Sequence, residues 1–158
     1  MAYAKELFEL ISDMDALLVL FRAAHNGIYS TPWWRSLPIP GLFKAIPYGT
    51  YQKSLVEIER KLADKDRRLR NLRQNPHIEP DEKGSYIEIH RFALALQKAV
   101  VLLRTIATGL NAKTENKPYE KANYKADLTA YRMFLPALVE SAAKMRGIRD
   151  TALLDANL

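Results

Sequence analysis

The chain has 158 residues, no cysteine and only six glycines. Without cysteine it can hold no disulfide and no zinc or iron–sulfur site with thiolate ligands. It contains no glycine-rich phosphate loop and no nucleophile motif. Its three histidines, His25, His77 and His90, do not lie at metal-ligand spacing, and no pair of carboxylates frames a site. We therefore expect no metal, no cofactor and no catalytic residue.

The sequence also lacks the alternating pattern of β-strands. Hydrophobic residues make up 48% and charged residues 27% of the chain, which is ordinary for a globular protein. A scarcity of glycine together with abundant Leu, Ala, Lys and Arg favours helix. We predict an all-α fold with one helical-bundle domain over residues 1–158, built from four to five helices.

Apolar residues spaced three and four apart define the helices. The predicted helices cover about residues 3–25, 50–75, 85–108 and 119–146. Gly27, Gly109 and Gly147 are expected to end the first, third and fourth helices. Pro136 predicts a kink in the fourth helix, or a split into two.

An irregular loop rich in proline and tryptophan is predicted after the first helix, over residues 28–48. It holds four of the eight prolines. One interpretation is a loop that covers an end of the bundle, with its aromatic side chains buried. In the other, Trp33, Trp34 and Phe43 dock on a partner protein, or the tryptophans stack on unpaired bases. A protein–protein scaffold that docks through this loop therefore remains an alternative function.

No membrane segment or secretion signal is expected. The longest apolar run, from Phe92 onward, is interrupted by Gln97, Lys98 and Arg104. The N-terminal residues carry scattered charges and lack the basic start and cleavage site of a signal peptide. We expect a cytoplasmic protein.

Positive charge is concentrated in residues 51–73. This stretch holds eight basic and four acidic residues, which gives +4 of the chain's net charge of +6. Such a localised excess most commonly meets a nucleic-acid backbone. The alternative is a solvated helix face, since Glu57–Lys61 and Asp64–Arg68 are good pairs at i,i+4 spacing.

A seven-residue register places these charges on the predicted second helix. Leu55 and Leu62, with Leu69, form an inner row, and Lys65 interrupts the next apolar row. Lys53, Arg60 and Arg67 then share one outward row, which advances about 10 Å per seven residues. The third helix adds a polar strip that contains Arg91 and Lys98. The residues predicted to contact a phosphate backbone are Lys53, Arg60, Lys61, Arg67, Arg68, Arg70, Arg73, Arg91 and Lys98.

The segment Arg70-Asn71-Leu72-Arg73-Gln74-Asn75-Pro76-His77 resembles the signature of the HEPN ribonucleases, an all-helical family of similar size. That resemblance implies a metal-independent ribonuclease, usually acting across a dimer. Arg70 would stabilise phosphate charge, His77 would serve in acid–base catalysis, and Asn71 would be the polar residue after the arginine. This enzyme is an alternative to a protein that holds nucleic acid without cutting it.

In size, helix layout and charge, the whole chain resembles the small subunit of CRISPR effector complexes of the Cascade type. The resemblance implies a non-catalytic structural subunit of an antiviral ribonucleoprotein, present in several copies beside other subunits. Such a subunit would support the guide–target duplex or the displaced DNA strand through basic side chains. The expected partners are RNA or single-stranded DNA and the other subunits.

Overall fold

The structure, a computed structural model, describes the backbone of residues 2–29 and 46–156 and the side chains of residues 5–28 and 46–152. These residues form four helices and no strand: α1 (Ala2–Tyr29), α2 (Tyr48–Gln74), α3 (Pro80–Thr114) and α4 (Lys121–Ala156). The prediction of an all-α helical bundle is therefore confirmed.

Helix α3 lies at the centre of the bundle. It packs against each of the other three helices, and α1 likewise touches all of them. Within the described residues α2 and α4 make no contact, so they occupy opposite corners. Phe92, Leu96 and Leu103 of α3 are fully buried, as expected for the apolar centre of a domain.

By its length and composition alone, helix α3 could cross a membrane. Its most apolar window has a mean hydropathy of 1.4, and 44% of that window is buried within the protein. The core helix of a soluble protein satisfies the same criterion, so the hydropathy of α3 does not distinguish the two settings.

Two of the predicted helix ends, at Gly27 and Gly109, are wrong. At both positions the glycine lies inside a helix and leaves room for an aromatic ring. α1 continues through Gly27 to Tyr29, and α3 continues through Gly109 to Thr114. A β-carbon at Gly27 would overlap the ring of Tyr51, and one at Gly109 would overlap the ring of Tyr119. The glycines therefore permit a close approach of helix and side chain.

The start of α3 is also earlier than predicted. It begins at Pro80 and not near Ser85, and Pro80 suits a first helical position because its missing N–H would be unpaired there in any case. Glu82 accepts a hydrogen bond from the backbone N–H of Glu79 (3.4 Å). Asp81 and Glu82 in the first turn also favour the positive end of the helix dipole.

Helix α4 is continuous, so of the kink or split predicted at Pro136 the split does not occur, and the helix does not end at Gly147 as predicted. Pro136 is exposed, so water can hydrate the carbonyl that loses its hydrogen bond. Beyond Gly147 the helix is held to α1, because Asp15 pairs with Arg146 (3.4 Å) and Arg149 (3.1 Å). These interhelical pairs join α4 to α1 on both sides of Gly147.

The loop prediction for 28–48 is wrong at its edges, since residues 28 and 29 belong to α1 and Tyr48 begins α2. Residues 30–45 lie outside the described residues. The proposed docking residues Trp33, Trp34 and Phe43 are among them.

Candidate nucleic-acid interface

The inner face of α2 follows the predicted seven-residue register. Leu55, Leu62 and Leu69 are 0%, 2% and 0% exposed. Lys65, which interrupts the apolar row beside them, directs its ammonium group to Asp13 of α1. The burial of the leucine row fixes the rotation of α2 and thereby turns the opposite row toward solvent.

The outward row consists of Lys53, Arg60 and Arg67, and all three are exposed. Arg60 donates to Glu57 (2.7 Å) and lies 3.6 Å from Asp64. The hydrogen bond from Arg60 lowers the pKa of Glu57. Lys53 and Arg67 form no ion pair within the described part of the chain. No described carboxylate therefore neutralises either charge.

The neighbouring row contributes less free charge than the sequence predicted. Lys61 lies 3.8 Å from Glu57 on its own helix. Arg68 turns toward α1, where it donates to Glu6 (3.0 Å) and approaches Glu9 (3.9 Å). Arg68 thus joins α2 to α1, and its guanidinium already has two carboxylate partners.

The last turns of α2 meet α3 in a hydrogen-bonded network. Arg70 Nε donates to Asp66 Oδ2 (2.8 Å), and His90 Nε2 lies 2.5 Å from Asp66 Oδ1. Arg73 Nη1 lies 2.7 Å from His90 Nδ1, which indicates an uncharged ring with its proton on Nε2. Burial alone would raise the pKa of Asp66, but the hydrogen bonds from Arg70 and His90 outweigh it and lower that pKa.

Two adjoining clefts open between α2 and α3 beside this network. The first, which we call the basic cleft, has a volume of about 480 Å³, and the second, the side cleft, about 550 Å³. The basic cleft is lined by Asp66, Arg70, Arg73, Gln74, Lys83, Ile87, His90 and Leu94. The side cleft is lined by Ala63, Asp66, Arg67, Arg70, Asn71, Gln74, Leu94 and Gln97. Together they form a path along the end of α2 that begins at Arg67.

The remaining two predicted contacts lie elsewhere. Arg91 pairs with Glu88, and both residues act electrostatically on Lys144 of α4. The ammonium of Lys98 lies 4.8 Å from the centre of the Phe134 ring of α4. The structure therefore places Arg91 and Lys98 on the α4 side of α3 and does not bring them together with the outward row of α2.

Sequence reasoning missed two residues of the basic cleft, Lys83 and His90. With α3 starting at Pro80, Lys83, Ile87, His90 and Leu94 recur at steps of four and three residues and therefore share one face. The predicted start at Ser85 left Lys83 outside the helix and hid this stripe. The correct capping signal at Glu79 and Pro80 would have revealed it.

Arg70 and His77, the pair of the ribonuclease hypothesis, do not line the same cleft. Arg70 lines the basic cleft, but His77 lies exposed in the turn after α2, where its backbone N–H donates to Asn75 Oδ1 (3.0 Å). The histidine that shares the cleft with Arg70 is His90. Asn71 lines the side cleft.

No group of three or more residues able to hold a metal ion occurs within residues 2–29 and 46–156. In comparisons with known proteins, no family model, curated protein or solved structure matches the chain.

Proposed function

We propose that this protein binds the sugar–phosphate backbone of nucleic acid along the outward face of α2, without catalysis. The observation that supports this proposal is positive charge on the outward row of α2 that no described carboxylate neutralises. Lys53 and Arg67 are exposed and form no ion pair with a described residue. Phosphate contacts of this kind position a strand but do not read its bases.

The end of α2 adds positive charge on the side that meets α3. Among the described residues Arg73 hydrogen-bonds to the uncharged ring of His90 and forms no ion pair, so no carboxylate neutralises its positive charge. Arg70 shares its charge with Asp66 and still lines both clefts. A strand bound along the outward row can therefore continue to Arg70 and Arg73, whose planar guanidinium groups suit phosphate oxygens.

The resemblance to CRISPR small subunits suggests the setting for this binding. A non-enzymatic bundle with one basic edge is suited to a ribonucleoprotein in which several copies lie side by side along a strand. Purification from the host is the test of that setting. A bound RNA of defined length with further subunits supports it, and a protein that purifies alone and free of nucleic acid contradicts it.

Charge reversal tests the binding face. The double variant Lys53→Glu with Arg67→Glu should lose binding to single-stranded RNA or DNA at low salt, because it replaces two free cations with anions. The matched control is Lys121→Glu with Lys125→Glu, an equal charge change on exposed residues at the start of α4. Equal loss in both double variants would show nonspecific attraction and overturn the proposal.

A ribonuclease is the second candidate, favoured by the hydrogen-bonded Asp66 and His90 beside Arg70. Under this hypothesis purified protein cleaves RNA without added metal. His77→Ala abolishes cleavage if the motif histidine acts, and His90→Ala abolishes it if the cleft histidine acts. RNA that remains intact after prolonged incubation with the wild-type protein excludes both.

A further inference from the structure

The basic cleft between α2 and α3 carries more free positive charge than its internal hydrogen bonds require. Its lining contains Arg70, Arg73 and Lys83 against the single carboxylate of Asp66. With His90 uncharged, the lining side chains therefore carry a net charge of +2. The ammonium of Lys83 forms no ion pair within the described residues.

Two acidic residues close to Lys83 in the sequence lie outside the lining of the basic cleft. Asp81 and Glu82, at the start of α3, line a different cleft on the side of α3 that faces Leu7 and Lys144. Asp66 is already engaged by Arg70 and His90. The surplus charge of Arg73 and Lys83 thus faces open space in the cleft.

The charge and shape of the basic cleft point to one class of ligand. We propose that it binds a phosphate monoester at the end of a nucleic-acid strand, an inference that rests on the proposed function. A monoester carries about −1.5 to −2 near neutral pH, which matches the cleft, whereas each internal phosphate carries only one negative charge. Its three terminal oxygens can accept bonds from the forks of Arg70 and Arg73 and from Lys83.

The side cleft gives the rest of the strand a path. It shares Asp66, Arg70 and Gln74 with the basic cleft and leads along α2 to Arg67. A strand whose terminal phosphate lies in the basic cleft can therefore run along the outward row. Binding of the strand end in the basic cleft sets the position of the whole strand. The outward row alone could not do so, because it contacts a backbone that repeats at every nucleotide.

His90 has a positioning role in this arrangement. Its Nδ1 accepts from Arg73 (2.7 Å) while its Nε2 is held at Asp66 (2.5 Å). These contacts hold Arg73 at the wall of the cleft before a ligand arrives. Such preorganisation reduces the loss of side-chain entropy on binding.

The test uses three oligonucleotides of one sequence, with a 5′-phosphate, a 3′-phosphate or hydroxyl groups at both ends. Fluorescence anisotropy at fixed salt should show about tenfold tighter binding of one phosphorylated strand by the wild-type protein. Lys83→Gln should abolish that preference, so that the variant binds all three strands equally, whatever general loss of affinity follows from removing one cation. Lys125→Gln, on α4, should retain the preference.

Other outcomes overturn the inference in distinguishable ways. Equal affinity for all three strands contradicts the terminal-phosphate site and leaves the proposed backbone binding intact. Failure to bind any strand contradicts the proposed function and this inference with it. If inorganic phosphate or a free mononucleotide at equal concentration displaces the phosphorylated strand fully, the cleft recognises small phosphates and not strand ends. A preference that survives in a folded Lys83→Gln variant excludes this cleft as its source.

Discussion

At the scale of single residues, glycine illustrates what a linear sequence conceals. Gly27 and Gly109 resemble helix stops, yet both lie inside helices where an aromatic ring leaves no room for a β-carbon. The ring at Gly109 belongs to Tyr119, whose hydroxyl donates to Asp127 (2.8 Å). Spacing along the chain cannot show which distant ring will approach a glycine.

Replacing Gly109 by alanine should therefore destabilise the protein. The added methyl group must displace the Tyr119 ring, and overpacking of this kind costs about 1–3 kcal/mol, which the gain in helix propensity of about 1 kcal/mol offsets only in part. Gly147→Ala is the matched control, because among the described residues a β-carbon added there would meet nothing beyond the neighbouring backbone of α4 within 4 Å, and helix propensity favours alanine by about 1 kcal/mol. Urea unfolding of both variants measures the difference. Equal stabilisation by the two alanines would contradict the close packing at Gly109.

His25 makes stability depend on pH. Burial lowers its pKa below the usual value of 6.5, and Nδ1 lies 2.6 Å from the Tyr131 hydroxyl in a groove that Arg22 and Arg146 also line. The unfolded chain therefore binds a proton more readily than the folded one, so the free energy of unfolding falls as pH drops below about 6.5. His25→Gln should flatten this dependence in thermal melts, whereas His77→Gln should retain it. An unchanged slope in His25→Gln would refute the assignment.

At the scale of the element, α2 shows which part of a helix the sequence determines. The seven-residue register correctly predicted the buried row of Leu55, Leu62 and Leu69, because burial of an amphipathic helix follows from its own periodicity. The register could not show that Arg68 and Lys65 turn to carboxylates of α1. Those pairs depend on how a second helix is placed, which periodicity does not specify.

The buried row should dominate the stability of α2. Leu62→Ala removes a side chain that is 2% exposed and should cost about 2–5 kcal/mol. Val56→Ala, on the same helix at 46% exposure, should change stability by about 0.5 kcal/mol or less. Chemical denaturation followed by circular dichroism compares the two. Similar losses in both variants would mean that α2 is packed in a different rotation.

Helix α3 shows the opposite case, in which an element boundary hid a site. Its apolar centre was predictable from composition, but its start was placed too late, since Gly84 and the charged residues before it resemble a loop and mask the capping signal at Glu79 and Pro80. The true start at Pro80 adds Lys83 to the face that carries His90. The basic cleft then requires α2 and α3 to pack together, and that contact lies beyond single-helix periodicity.

At the scale of the whole molecule, charge and packing are arranged asymmetrically. α2 and α4 lie at opposite corners of the bundle, with α1 and α3 between them. The stretch 51–73, nearly all of α2, carries most of the net positive charge. The bundle architecture followed from composition and apolar spacing. Binding of nucleic acid to the α2 corner remains the prediction that this asymmetry supports.

The most direct measurement of that claim is the salt dependence of single-stranded RNA binding for matched variants. A plot of log K against log salt concentration should be linear, with a slope of about −0.7 for each phosphate contact. Arg67→Gln should reduce the magnitude of that slope by about 0.7, since one contact is lost. Lys125→Gln, an exposed lysine on α4, should leave it unchanged. Salt-independent binding, or an identical slope in Arg67→Gln and the wild-type protein, would contradict the account.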